Sequence, residues 1–521
     1  MTRTRVLTAS LAVLAALLVL LSTAVAGAST PGAAEPTTTA RSPVGAATNP
    51  DDGRPNFVFV LVDDLDATTT PTWDAMVRTK ALLKDRGLTF SNAFSPTPIC
   101  CPARASILTG KYGHNTGVLT NYGDQGGWAT FHDRGNEERT FATYLQDAGY
   151  RTMLVGKYLN GIEEDPEHVP AGWSEWYGAV DNAFYTGYGY TLNENGTLVD
   201  YGRDESDYAT DVVAAKSVDF VARAAADGQP FMAYIAPGAP HLPIPPAPRH
   251  TDHPFSDAET PRLPNFREAD VSDKPTWLQE TARARSAQVS LINDWDHRNR
   301  MGSLYAVDEM VASLVSTLEA AGELDETYLV FAGDNGYQLG AHRLIQKMVP
   351  YEESLRVPLV VAGPGVRAGE EARTALVTDL APTFLQLAGV AVPEDVDGTS
   401  LAGLLRGEAP PTWRTDFVGA YASTGQDSED GIAQELVKGL ASTFLDVPPW
   451  RALRTQTHLY AEWPQDDGSV ERELYDLEAD PHQLTNLVSS PEGLRTHQEL
   501  VDQLTTRLDT LSRCSGASCR S

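Results

Sequence analysis

Asn56-Phe-Val-Phe-Val-Leu-Val62 runs without a polar interruption and then stops at Asp63-Asp64-Leu65-Asp66. A continuous run rich in Val and Phe, with no alternation, reads as a strand buried on both faces, the pattern of the centre of a parallel sheet. Two carboxylates directly after such a strand are costly unless a positive charge sits on them. Helix capping would need only one. Outward from this run the same plan repeats. Tyr150-Arg-Thr-Met-Leu-Val155 runs into Gly156-Lys157, and Phe231-Met-Ala-Tyr-Ile-Ala236 leads through Pro-Gly-Ala-Pro to His241. Tyr328-Leu-Val-Phe-Ala332 ends in Gly333-Asp334-Asn335-Gly336, whereas Arg356-Val-Pro-Leu-Val-Val-Ala362 carries no reactive side chain at its end. Four of these five strands thus deliver polar chemistry at their carboxyl ends, where open α/β sheets place ligands.

Helices separate the strands. Leu304, Val307, Val311, Leu314 and Leu318 fall at helical spacing up to Gly322, and Asp379–Gly389 forms a shorter amphipathic run. The alternation predicts an α/β fold, a doubly wound and mostly parallel sheet covered on both faces. Tyr188–Tyr201, with Asn195-Gly196 at its middle, reads as a hairpin. Pro243–Trp277 is long, Pro-rich and irregular, which reads equally as a functional lid or as a disordered excursion. Beyond residue 407 the composition changes, with Pro410-Pro411 and an acidic Gly/Ser patch at Gln426–Gly431. His458–Trp463 and Glu471–Asp476 then read as strands and Val501–Leu511 as a closing helix. This predicts a catalytic domain over 53–407 and a smaller antiparallel α+β subdomain over 408–521.

The amino terminus has the form of a secretory signal peptide over residues 1–26: two arginines, the apolar run Leu7–Leu21, then Ala24-x-Ala26. A flexible segment over 27–52, rich in Pro, Thr and Ala, follows it. No later run is long and apolar enough for a stable membrane span, so a secreted, soluble protein is expected. Forty Lys and Arg against 70 Asp and Glu give a net charge of -30, which argues against nucleic acid and against broad adhesion to acidic polymers. Of four cysteines, Cys514 and Cys519 enclose a short Ser-Gly-Ala-Ser loop suited to a disulfide in an exported chain. The adjacent Cys100 and Cys101 are geometrically poor partners for each other.

Those two belong to Ser95-Pro-Thr-Pro-Ile-Cys-Cys-Pro-Ala-Arg-Ala-Ser-Ile-Leu-Thr-Gly110. Pro102 suits the first turn of a helix and Gly110 its stop. Cys100 then sits at a helix N-terminus, which favours an anion, and Arg104 can turn its fork toward a tetrahedral oxyanion at the same point. From the residues alone this is either a nucleophile beside an anion hole or a buried structural cysteine pair.

Cys100-x-Pro102-x-Arg104, followed by Ser106-Ile-Leu-Thr-Gly110, resembles the signature of the type I sulfatases. The extended run from Cys100 to Asn115 is similar to the N-acetylglucosamine-6-sulfatase and heparan-sulfate 6-O-endosulfatase branch. Glu473–Pro481 with Asn486-Leu487 is similar to the closing segment of that family. The resemblance implies an alkaline-phosphatase-like fold and a formylglycine (3-oxoalanine) made from Cys100 by a formylglycine-generating enzyme. Only Cys100 has Pro at +2 and Arg at +4, so it, not Cys101, is the residue carried over. Its hydrate supplies one hydroxyl to attack sulfur, while the other expels sulfate by collapse to the aldehyde.

The resemblance also implies a metal at Asp63, Asp64, Cys100, Asp334 and Asn335. Hard oxygens without a soft Cys/His cluster suit Ca2+ or Mg2+ over zinc, and the family points to Ca2+. Arg104 is assigned to the gem-diol and metal shell, Lys157 and Lys347 to the sulfate oxygens, and His241 to protonating the leaving alcohol. Many relatives carry a histidine two residues after the lysine of the Gly-Lys pair, where this chain has Leu159. His114 or Asn160 are candidates for the missing base, and His342 for the edge of the site. The expected substrates are 6-O-sulfated N-acetylglucosamine or related sulfated sugars, with aryl sulfates as surrogates. Alternatives are a phosphodiesterase or phosphonate hydrolase of the same superfamily, or a silent polysaccharide-binding relative.

Overall fold

The computed structural model describes residues 53–285, 289–408, 410–423 and 447–520. The signal peptide, the 27–52 segment and the Gln426–Gly431 patch lie outside the described residues. All the described residues fall in one compact unit within Thr48–Ser521.

Asn56–Val62 is the central strand of a ten-stranded sheet, parallel to Phe231–Ala236 on one side and to Thr327–Gly333 on the other. Outward from Phe231–Ala236 come the parallel strands Arg151–Gly156 and Glu175–Ala179, then the hairpin Thr191–Glu194/Thr197–Asp200 turning at Asn195-Gly196. Outward from Thr327–Gly333 lie Leu359–Ala362, Leu88–Phe90 and Gly369–Glu371. Leu359–Ala362 is antiparallel to both its neighbours, which makes the sheet mixed on that flank.

The alternation of a pleated strand explains why the central run is apolar throughout. Phe57, Phe59 and Leu61 pack into a core layer shared with Phe141 and Leu145, the Cys100–Thr109 helix and the Leu380–Leu387 helix. Val58, Val60 and Val62 point the other way, into a layer built by the Ala209–Asp227 and Val289–Ala321 helices. Leu304, Val307, Val311, Leu314 and Leu318 all fall in that second layer, as their spacing predicts.

The C-terminal portion is a four-stranded antiparallel sheet, Asp416–Tyr421, Trp450–Thr455, His458–Pro464 and Val470–Asp476 in that order, covered by the Gln498–Leu511 helix. Its core is shared with Phe94, Ile99, Tyr112 and Tyr351, so it is welded to the segments flanking residue 100. A disulfide joins Cys514 to Cys519. Among the described residues no helix is long and apolar enough to cross a membrane.

Candidate active site

Strand register brings the polar residues together. Val62 pairs with Gly333, which sets Asp63 beside Asp334, and the Asp334 N–H donates to Val62 O at 3.2 Å. On the other flank Gly156 pairs with Ala236, and the Lys157 N–H donates to Ala236 O at 2.8 Å. Gly156 has φ 97°, and a Cβ there would lie 2.0 Å from Ala236 O, so only glycine permits this exit from the strand. Asp64 stands at φ 61°, uncommon for a residue with a side chain. Its N–H donates to Asp334 Oδ1 at 3.0 Å, and Arg300 donates to its carbonyl, which fixes the turn from both sides.

The helix Cys100–Thr109 begins after Ile99, which offers no side-chain cap; Asn121 Oδ1 accepts the Cys101 N–H instead, at 2.9 Å. Gly110, at φ 72°, ends it as expected. Cys100 Sγ lies 3.5 Å from Asp63 Oδ1, 3.9 Å from Asp64 Oδ1 and 2.9 Å from Lys347 Nζ. Cys101 packs into the apolar core, where burial pushes its thiol up to about 12. The two cysteines are therefore chemically unlike, and Cys100 is the one that faces charge.

Arg104 is wholly buried, with Nε 2.8 Å from Asp334 Oδ2, Nη2 3.6 Å from Asp63 Oδ2, and Nη1 donating to Lys157 O at 3.1 Å. Lys157 Nζ lies 2.6 Å from Asp63 Oδ2, and Lys347 Nζ contacts Asp64 Oδ1. Burial alone would raise the Asp63 carboxyl, but Lys157, Arg104 and His241 overcome it and hold the group below the ordinary carboxylate range. Burial would likewise lower Lys157 and Arg104, yet Asp63 holds Lys157 well above its usual value, and Asp334 with Asp63 does the same for Arg104. The chamber thus sets the carboxyl groups of Asp63, Asp64 and Asp334 against the basic side chains of Arg104, Lys157 and Lys347.

His241 Nε2 lies 3.6 Å from Asp64 Oδ2, and its ring packs tilted against Tyr185, centroids 4.4 Å apart. Asp63, Asp64, Cys100 and His241 bring ligand atoms within 4.8 Å of one another. Asn335 Nδ2 donates to Asp64 Oδ1 at 2.7 Å. Asp64 Oδ2 and Asn335 Oδ1 are buried and have no hydrogen-bond partner among the described residues. Buried oxygens of this kind are rare in native structures, and with the neighbouring carboxylates they fit a divalent cation. Asp66 is a turn residue: its carboxylate accepts from the Thr69 and Thr70 N–H groups, each at 2.8 Å.

The remaining candidates fall at different places. Leu159 is buried, and Asn160 lines a small cleft with Lys157 and Tyr185. His114 is directed away, its Nε2 3.0 Å from Cys514 O near the closing disulfide. His342 is fully buried, with Nδ1 2.7 Å from Glu268 Oε2 and its ring packed tilted against Tyr351. Sequence reasoning did not find Arg300, Tyr185 or Asn121. No local pattern marks them, because each acts through partners far along the chain.

Basic side chains, carboxylates and a histidine are thus gathered in one buried chamber at the carboxyl ends of the central strands. The sulfatase family model matches residues 55–390, and the chain belongs to that family. The N-acetylglucosamine-6-sulfatase of Capra hircus is 37% identical over 491 residues, covering 90% of this chain and 85% of the relative. The extracellular sulfatase SULF-1 homolog of Drosophila melanogaster is 37% identical over 359 residues, covering 68% of this chain and 31% of that protein. A structure solved in complex with its substrate D-glucosamine-2-N,6-O-disulfate aligns with TM-score 0.68 at 24% identity, over 88% of this chain and 98% of its own. That likeness concerns the fold, which is alkaline-phosphatase-like. The chain is a sulfuric ester hydrolase.

Proposed function

We propose that the chain removes 6-O-sulfate from N-acetylglucosamine and related sugars, as an exported enzyme whose Cys100 is converted to formylglycine by a formylglycine-generating enzyme. The observation that carries this is the position of Cys100 Sγ, at a helix start, 3.5 Å from Asp63 and 2.9 Å from Lys347. Calcium fits best at Asp63, Asp64, Asp334, Asn335 and the residue-100 side chain, because the donors are hard oxygens. When bound, Ca2+ supplies Lewis acidity, and the hydrated formylglycine supplies the nucleophilic oxygen.

The rest of the reaction falls to the chain's own side chains. Lys157 is held protonated by Asp63, and Lys347 stands against Asp64 and Cys100; both are placed to bind sulfate oxygens as charge builds there. Arg104 keeps Asp63 and Asp334 in place. His241, packed against Tyr185, presents an imidazole suited to protonating the leaving sugar hydroxyl. Burial of all these groups makes each charge count for more than it would in water.

The net charge of -30 favours small substrates over long polyanions. Exposed charges are screened beyond about 8–10 Å near physiological salt, so the discrimination is expected at low ionic strength. The experiment compares sulfate release from 6-O-sulfated N-acetylglucosamine, disaccharides and intact heparan at several salt concentrations, with aryl phosphate and phosphonate as controls. Preferred turnover of the short sugar sulfates is expected. Faster turnover of phosphonate, or faster internal desulfation of heparan at low salt, would overturn the reading.

A further inference from the structure

We propose a second metal site, for zinc or a similar borderline cation, formed by His132, Glu137 and His168. His132 lies on the Gly127–Asp133 helix, Glu137 opens the short helical turn that follows, and His168 comes from the segment after Ile162–Glu164. His132 Nδ1 is 2.9 Å and His168 Nε2 3.0 Å from the same oxygen, Glu137 Oε2. The three ligand atoms all lie within 4.8 Å of one another. None of these residues belongs to the chamber around Cys100.

The geometry is close to that of a metal centre. A tetrahedral ion bonded at about 2.0–2.1 Å sets its donors about 3.3 Å apart. An ion therefore enters when the two nitrogen–oxygen gaps open by a few tenths of an ångström and the two nitrogens, within 4.8 Å of each other, settle at a similar spacing through rotation of the half-exposed His132. The site is also held from outside. Trp128 Nε1 donates to the other Glu137 oxygen at 2.8 Å, which orients the carboxylate as a supporting hydrogen bond does in metal proteins. Asn193 Nδ2 donates to Pro166 O at 2.9 Å and to His168 O at 2.8 Å, which fixes the backbone carrying His168. The Glu137 side chain is 2% exposed and His132 42%, so the carboxylate is buried while solvent reaches the histidine edge. That leaves a side for a water ligand.

Two imidazole nitrogens and one carboxylate oxygen select zinc, and copper or nickel by the usual affinity order, over Ca2+. The consequence is mechanical. Trp128 N–H donates to Asn160 O at 2.7 Å, three residues beyond Lys157. An ion joining His132 to His168 clasps both ends of the 160–168 loop to one short helix.

The test uses the full chain in excess Ca2+, dialysed against micromolar Zn2+, with His132→Ala and His168→Ala alongside wild type. One zinc retained per chain is expected for wild type, with binding weakened about tenfold or more in each variant. Zinc should raise the thermal midpoint and slow amide exchange across 160–168 in wild type only. His132 is half-exposed, so its variant keeps the fold and serves as the decisive comparison. No retained zinc, as a purely hydrogen-bonded clasp predicts, or equal retention by wild type and His132→Ala, would overturn the proposal.

Discussion

Arg104→Met removes the guanidinium that stands between two carboxylates with no solvent exposure. Breaking a buried pair by deleting one partner costs about 3–5 kcal/mol, because the other charge is left uncompensated. Here the loss falls at the lower end. Asp63 keeps Lys157 at 2.6 Å, and Asp334 Oδ1 keeps the N–H groups of Asp64 and Asn335 at 3.0 and 2.8 Å. A cost of about 3 kcal/mol is expected, roughly a hundredfold in the folded-to-unfolded ratio. A cation bound by the same carboxylates supplies positive charge that the variant lacks, so the variant should gain more from it than wild type. The assay is urea unfolding followed by tryptophan fluorescence, once with chelator and once in saturating Ca2+. A large gap between wild type and variant in chelator, narrowing in Ca2+, is the expected result. Equal midpoints in chelator, or a gap that Ca2+ leaves unchanged, would refute the reasoning.

Two further predictions concern a buried ion pair outside the chamber and the histidine inside it. Glu352 is buried between Arg454, at 2.8 Å, and Arg356, at 2.6 Å; burial alone would raise it, but the two arginines lower its carboxyl to about 2 from 4.5. A depressed carboxylate stabilises the fold above its unfolded value and loses that contribution as pH falls toward its folded one, so Glu352→Gln should cost about 3 kcal/mol at pH 7. The gap should close between pH 4.5 and pH 2, and a gap constant with pH in urea titrations would contradict the assignment. His241→Ala should lower kcat on sugar sulfates by about 100- to 10,000-fold. Aryl sulfates, whose leaving phenoxide needs less protonation, should lose far less; equal losses on both would remove His241 from the acid role.

Much of the architecture was legible because buried strands announce themselves locally. Phe231–Ala236 was read to the residue, and the two strands that carry Lys157 and Asp334 to within one residue at each end. Direction was not legible: Leu359–Ala362 is as apolar as the parallel strands at the centre of the sheet, and no local residue encodes that it runs antiparallel to its neighbours. Lys157 and Asp334 follow their strands directly, so strand ends predicted their meeting. Arg300 was missed for the opposite reason. It sits in mid-helix and reaches Asp64 across 236 positions, a contact only the tertiary fold creates. His114 illustrates the limit of adjacency, since it lies four residues past Gly110 yet faces the C-terminal tail.

The central claim is that residue 100 does chemistry as an aldehyde derived from cysteine. Trypsin releases it in the peptide Gly87–Arg104, which contains both Cys100 and Cys101. The mass of that peptide, taken from protein with measured aryl sulfate turnover, tests the claim directly. The expected peptide is lighter by one sulfur and two hydrogens, heavier by one oxygen, and reactive with hydrazide, with the change placed at residue 100 by fragmentation. Fully active protein carrying an unmodified thiol at residue 100 would contradict it.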